Sequence, residues 1–417
     1  MLRKRLTDGL FLAIVSVILV SPVLFEVAAN NGVQFPDWLG VNSSRSVIEG
    51  RNYEELPTPS PDSFSSGKLQ AATENYLSDA VPARDSVLFG NAGLQRSFIN
   101  VASIPFGFAS IPTFFGSAYT LNDGLSLAKD PMRKAQATET GLQSFGHGLA
   151  SIAMRHPEKR FIVYVVDAAS NSESNRVTSL VHNVENTRMA CKTLIDATSE
   201  AANVLVVSKQ YTSDDEFRAD FFRTDHHWNI RGAAGAYNCI AEVLGLRLFD
   251  PEPVQVVGDT AFSGSYATSG LCPLQEDPID TSFDFSELTL LDKNGERTDD
   301  SAHEPYWSVS EAMRRRYFYD CWYGWRDTSP VILGKGDHSA VFISDSYGFA
   351  MKRIVALNYK TLYTDCDLHA DNSSKTLSLE ERLVRDDVQD VIFVASVSNY
   401  VGMSNRMPRY FAVDGNA

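Results

Sequence analysis

The sequence predicts an α/β domain whose mostly parallel sheet is covered by helices on both faces. One observation is four short, continuous apolar runs rich in β-branched residues, at 161–166, 204–207, 340–343 and 391–395. Strands buried on both faces read this way, without polar alternation. A second is helical spacing of apolar residues between the runs, at about 178–200, 229–244, 348–357 and 377–384, which makes βαβ units. A third is size: 417 residues, 44% hydrophobic and 11% aromatic, are enough to bury a large core.

Taken from the N-terminus, Arg3, Lys4 and Arg5 precede an uncharged stretch at 10–25, and the small residues Ala28 and Ala29 follow. A basic start before an apolar run marks export, so residues 1–29 are expected to be a signal anchor or a signal peptide. Either places the remainder outside the cytoplasmic membrane: anchored to it, or secreted if the segment is cleaved. Residues 30–66, rich in Asn, Gly, Ser and Pro, read as an extended tether. A catalytic domain is expected over 67–417. It begins with a helical lead-in at 67–100, where helical spacing at 68–77 and 85–99 is interrupted around Pro82. Residues 250–330 lack a clear period and are expected to be an insertion that walls a substrate cleft.

Composition narrows the function. A formal charge of −15 repels a phosphate backbone, so no nucleic-acid partner is expected. A mean hydropathy of −0.17 excludes a multi-span membrane protein. The five cysteines, Cys191, Cys239, Cys272, Cys321 and Cys366, form no Cys-x-x-Cys pair. A Cys272–Cys321 bridge is the pairing considered if the compartment is oxidising.

Three constellations can carry chemistry. In Thr224-Asp225-His226-His227-Trp228-Asn229, Asn229 is placed to cap the helix that follows. On a locally extended backbone Asp225 and His227 point the same way, so the carboxylate could hold one imidazole nitrogen and leave the other as a base. The alternatives are a capping Asp with packed histidines, or a metal cluster, which adjacent histidines pointing apart disfavour. In Ser344-Asp345-Ser346-Tyr347-Gly348 a serine sits where a buried strand enters a helix, a position suited to a nucleophile beside helix N-terminal amides, though Asp345 or Ser346 could merely cap. In Ser398-Asn399-Tyr400 another strand ends in polar residues; Asn399 is either a turn asparagine or an oxyanion donor.

Thr224 to Asn229, with Gly232, Ala233 and Tyr237 behind, resembles the signature of the DHHW family, which is related to SGNH-like proteins of alginate and cell-surface polysaccharide O-acetylation. The resemblance extends to Glu49-Gly50-Arg51, Asp79, Pro82, Arg84, Phe262-Ser263-Gly264-Ser265 and Asp345-Ser346-Tyr347-Gly348. Ser344 stands where the family often has glycine, and Ser398-Asn399-Tyr400 matches its Gly-x-Asn-Asp block only loosely. The resemblance implies a three-layer α/β/α SGNH-like domain in which the Asp/His element precedes the Ser element. Ser346 takes the place of nucleophile, His227 of base and Asp225 of orienting acid, with no cofactor and no metal. It also implies an O-acetyltransferase acting on an exported polysaccharide, with a membrane-bound O-acyltransferase as acetyl donor. A carbohydrate acetylesterase and a non-catalytic glycan-binding or assembly subunit are the alternatives. Tyr347, Trp322, Tyr323 and Trp325, with Tyr306, Trp307, Tyr317, Phe318 and Tyr319, are aromatics that could contact sugar rings or pack in the core.

Overall fold

The computed structural model describes mainly residues 53–55, 58–103, 135–168, 187–250, 264–269, 331–366, 379–384 and 387–404. Shorter pieces lie at 16–36, 119–128, 261–262 and 277–298, with Tyr319 alone between 298 and 331. The segment 1–29 lies mostly outside the described residues; among them, no helix is long and apolar enough to cross a membrane. Cys272 and Cys321 also fall outside them, whereas Cys191, Cys239 and Cys366 are free thiols. The chain divides into two compact units, built chiefly on residues 1–107 and 108–417.

Among the described residues of the first unit, 61–103 hold α1 (Pro61–Ser65), α2 (Lys68–Asp79) and α3 (Arg84–Ser103). Helix α1 corrects the expectation of an extended tether to residue 66. Ser60 and Ser63 form a capping box and Pro61 supplies a preset first-turn φ, so even five residues begin a helix here. Asp79, buried at the end of α2, accepts the Glu54 amide at 3.0 Å and pairs with Arg84 at 3.7 Å, tying the preceding strap to the α2–α3 turn.

In the second unit short strands β1 (Tyr119–Thr120) and β2 (Leu127–Ala128) pair antiparallel. Helix α4 (Ala135–Arg155) leads into β3 (Arg160–Val166), then α5 (Thr187–Ala197), β4 (Val204–Val207), α6 (Asp214–Asp220) and α7 (Ile230–Leu244). A hairpin, β5 (Ala261–Phe262) with β6 (Asp277–Pro278), brackets α8 (Ser265–Ser269). Next come β7 (Thr289–Leu291), β8 (Arg297–Thr298), β9 (Val331–Leu333), β10 (Ser339–Ser344), α9 (Gly348–Ala356), β11 (Thr361–Asp365), α10 (Leu379–Leu383), β12 (Val388–Ser396) and α11 (Val397–Ser404). Eight strands form one sheet in the order β4-β3-β12-β10-β11-β9-β7-β8. The pairings from β4 to β11 are parallel and those from β11 to β8 antiparallel.

The continuous apolar runs resolve into two cores. Ile162, Tyr164, Phe342, Ile392 and Val394 face α7 and α9, whereas Phe161, Val163, Val341, Ile343, Val391 and Phe393 face α4, α5 and α11. Period-two alternation in an all-apolar strand thus feeds both faces, giving three α/β/α layers. Helix α4 has no counterpart in the sequence expectation. Two of its glycines, which weaken a helix locally, sit hard against neighbours: a Cβ on Gly141 would lie 2.7 Å from a Val401 methyl, and one on Gly146 2.6 Å from the Ala197 Cβ.

At the amino edge of the sheet Asp390 is fully buried. It accepts Arg160 Nε at 2.6 Å, Arg160 Nη2 at 2.8 Å and the Tyr359 hydroxyl at 2.7 Å. Removing the carboxylate leaves the guanidinium and the buried phenol without their acceptor. Asp390→Ala is expected to cost about 3 kcal/mol in urea unfolding without moving the opposite, carboxyl edge.

Candidate active site

The carboxyl ends of β10 and β12 and the α6–α7 connection supply the site, on the sheet edge where parallel α/β folds bind ligands. Strand β10 runs into Asp345-Ser346-Tyr347, and the turn closes by Gly348 N donating to Asp345 O at 3.0 Å and Phe349 N to Ser346 O at 3.2 Å. Asp345 is fully buried and holds this turn against β12. Its Oδ1 accepts Tyr347 N at 3.0 Å, and its Oδ2 accepts Ser396 N at 2.9 Å and Asn399 Nδ2 at 2.6 Å. Gly348 makes room for Ser344, since a Cβ there would fall 1.8 Å from Ser344 Oγ. Ser344 is thus matched by a glycine four residues on. Between 339 and 352 every residue is buried except Ser346.

The α6–α7 connection is a narrow loop closed by the Phe221–Trp228 bridge, with Phe222 N donating to His227 O at 3.2 Å and Asn229 N to Asp220 O at 2.8 Å. Asn229 caps α7 through Arg231 N at 3.0 Å and Gly232 N at 3.1 Å, as the sequence predicts. The backbone at 223–227 is bent rather than extended. The two side chains meet because Asp225 Oδ1 accepts both His227 N at 2.9 Å and His227 Nδ1 at 2.6 Å, an Asx-type turn completed by the imidazole.

His227 Nε2 then lies 2.7 Å from Ser346 Oγ, across 119 residues of sequence. Burial disfavours the Asp225 charge, but His226, His227 and the hydrogen bonds from His227 and Ser265 N outweigh it and hold the carboxyl well below the usual carboxylate range. An ionised Asp225 assigns the proton to His227 Nδ1, leaving Nε2 to accept from the Ser346 hydroxyl. A carboxyl lowered in the fold contributes stability that is present above about pH 3.9, its unfolded value, and is lost as pH falls through the lower native value. Acid titration of the fold should therefore be less steep below pH 4 in Asp225→Asn than in the wild type, as read by circular dichroism.

The loop is braced by the 261–278 hairpin. Asp225 Oδ2 accepts Ser265 N at 2.6 Å, and Thr224 Oγ1 accepts Gly264 N at 3.0 Å. Asp277 accepts Arg223 N at 2.9 Å and Thr224 N at 2.7 Å; burial pushes its carboxyl up despite these donors. The described part of the 250–330 insertion thus supports the acid. Two further bonds strap the loop to the serine turn: Trp228 Nε1 donates to Tyr347 O at 3.1 Å, and the Tyr347 hydroxyl to His226 O at 2.6 Å.

Ser346, His227 and Asp225 are brought together. Asn399, expected at the oxyanion, donates to Asp345, so one of its amide protons steadies the turn. The Ser346 N–H has no acceptor among the described residues and is the turn's available amide beside the Ser346 hydroxyl. Tyr347, expected at the substrate, is buried with its hydroxyl committed between the loops. Tyr319 is buried as well, its ring stacked on His227 rather than open to a sugar. Trp322, Tyr323, Trp325, Tyr306, Trp307, Tyr317 and Phe318 lie outside the described residues. The ligand-type atoms of Asp225, His226 and His227 fall within 4.8 Å of one another. The Asp225 oxygens and both His227 nitrogens are committed to hydrogen bonds with one another, with Ser265 N and with the Ser346 hydroxyl.

No protein-family model matches the sequence, and no curated protein matches it. Solved structures do. Bacillus cereus PatB1 aligns over 70% of this chain and 97% of its own, at 17% identity, with TM-scores of 0.51 and, in a structure carrying a sulfonyl adduct, 0.53. A DHHW family protein from Eubacterium siraeum aligns over 72% of this chain and 97% of its own, at 15% identity and TM-score 0.53. The resemblance carried by Asp225-His226-His227-Trp228 therefore extends to the fold, which this chain shares with a solved DHHW family protein.

Proposed function

We propose that the chain is a serine-dependent acyltransferase that O-acetylates an exported polysaccharide. The observation that carries this is the unbroken relay Asp225–His227–Ser346, at 2.6 and 2.7 Å, ending on the single partly exposed residue of a buried strand-to-helix turn. Two-thirds of such a relay is common as capping chemistry. All three parts in line, with the acid ionised and the base buried, meet the geometric requirements of an activated nucleophile.

Ser346 Oγ attacks the carbonyl carbon of an acetyl donor while its proton passes to His227 Nε2, and the Asp225 carboxylate holds the imidazolium by Nδ1–H. The Ser346 N–H stabilises the tetrahedral oxyanion; one good donor of this kind is worth about 3–4 kcal/mol. The imidazolium returns its proton to the leaving group, giving acetyl-Ser346. A sugar hydroxyl, deprotonated by His227, then attacks the acetyl carbonyl, and the imidazolium returns that proton to Ser346 Oγ as the serine departs. A membrane-bound O-acyltransferase as donor and an N-terminal anchor that keeps the domain near it complete the proposal. The sulfonyl adduct in PatB1 suits this reading, because sulfonyl electrophiles capture activated hydroxyls.

The test is turnover of an activated acetyl ester with and without acetyl-free oligosaccharides. Acetyl transfer to the oligosaccharide supports the proposal. Release of acetate alone, whichever acceptor is offered, replaces it with an esterase, and no turnover at all replaces it with a binding subunit.

A further inference from the structure

The geometry points to Tyr319 as a positioning residue for the general base: its ring fixes the plane of His227 and stabilises the imidazolium formed during acyl transfer. The inference rests on His227 being the base of the proposed reaction. The two rings lie nearly parallel, 5° apart, with centroids at 3.7 Å. The His226 ring is also 3.7 Å from His227, inclined by 37°. Two rings cannot occupy one face of an imidazole at that separation, so His227 is clamped between His226 and Tyr319. Its edge is held by Asp225 on Nδ1 and Ser346 on Nε2.

Tyr319 is itself fixed. Its hydroxyl donates to Tyr347 O at 3.2 Å, the carbonyl that also accepts Trp228 Nε1, and its ring meets Phe222 edge-on at 6.4 Å and Phe349 at 6.5 Å. The ring is therefore tied to the loop carrying the base, through Phe222, and to the turn and helix carrying the serine, through Tyr347 and Phe349. An aromatic face attracts a cation, and the attraction grows where water is excluded. The proton moving from Ser346 Oγ to His227 Nε2 creates that cation directly against the Tyr319 ring.

Among the described residues, the groups around the base are Asp225 and Ser346 on its edge, His226 and Tyr319 on its faces, and Tyr347 at 5.0 Å. Asp277 stands behind the loop through Thr224, and Asp345 holds Tyr347 N. Of these, Asp225 and Tyr319 favour imidazolium. A protonated His226, 3.7 Å away, opposes it, so at acid pH the tyrosine face and the second histidine act against each other.

The experiment follows the His227 ring resonances by NMR through a pH titration of wild type, Tyr319→Phe, Tyr319→Leu and Tyr319→Met, with thermal melts on each. Tyr319→Phe keeps the aromatic face and should keep the titration midpoint. Whichever aliphatic variant folds should lower it, because the aromatic face that attracts the imidazolium is gone. In ester turnover the acid limb should move to lower pH by the same amount, with a reduced plateau. A folded aliphatic variant with an unmoved midpoint overturns the inference, as does a Tyr319→Phe midpoint that falls with the aliphatic ones. The midpoint needs no substrate: a shifted midpoint without ester turnover sinks the acyltransferase reading alone, and turnover with an unmoved midpoint sinks this one alone.

Discussion

Asp225→Asn is expected to reduce acyl turnover by about 10³- to 10⁴-fold, as removal of the orienting carboxylate does in serine relays generally. Both oxygens of Asp225 accept: Oδ1 from His227 N and Nδ1, Oδ2 from Ser265 N. A carboxamide has one accepting oxygen. Turned with that oxygen to His227, it sets its NH₂ against the Ser265 amide and pushes the hairpin away. Turned the other way, it donates to Nδ1 and moves the imidazole proton to Nε2, where the Ser346 hydroxyl can no longer be deprotonated. Either outcome strikes the chemical step, so kcat should fall with little change in KM. Loss of a buried hydrogen-bond partner should also cost about 1–3 kcal/mol. Ester kinetics with a parallel denaturation curve check both; a loss under tenfold in folded protein contradicts the assignment of the acid.

The second large effect belongs to a residue with no functional group. A Cβ on Gly264 would stand 2.4 Å from Asp225 Cβ, 2.6 Å from its Oδ2 and 2.7 Å from its Cα. These atoms belong to a side chain held by three other donors and to backbone, so nothing flexible can yield. Gly264→Ala must displace either the hairpin or the Asp225 loop by a sizeable fraction of an ångström. Overpacking of this kind costs about 1–3 kcal/mol. A shift of about 1 Å in the acid can cost roughly 10²-fold in rate. The combination expected is a folded protein of lowered Tm whose kcat falls about 10²-fold. A fully active Gly264→Ala would show that the hairpin does not position the acid.

The relay was legible in the sequence because each part sits at a local junction. Ser346 follows a buried apolar strand at the entrance to a helix, and Asp225 and His227 precede a capping asparagine and a run of small helical residues. The support around it was not legible. Ser265 and Gly264 reach the loop across 40 residues and Asp277 across 53, and no periodicity announces such contacts. Tyr319 stood among aromatics that could as well have met a sugar; only its ring geometry places it on the base. The strands were readable from apolar runs. Helix α4 was obscured by glycines whose purpose is close packing, and α1 by the Pro and Ser residues that start it.

The central claim is that Ser346 is a nucleophile activated by His227 and Asp225. Its most direct test is the intact mass of the purified protein quenched shortly after mixing with an activated acetyl ester. The account predicts one added acetyl group in wild type, mapped to the peptide containing Ser346, and none in Ser346→Ala or His227→Ala. An unmodified wild type, or an adduct that persists in Ser346→Ala, contradicts it.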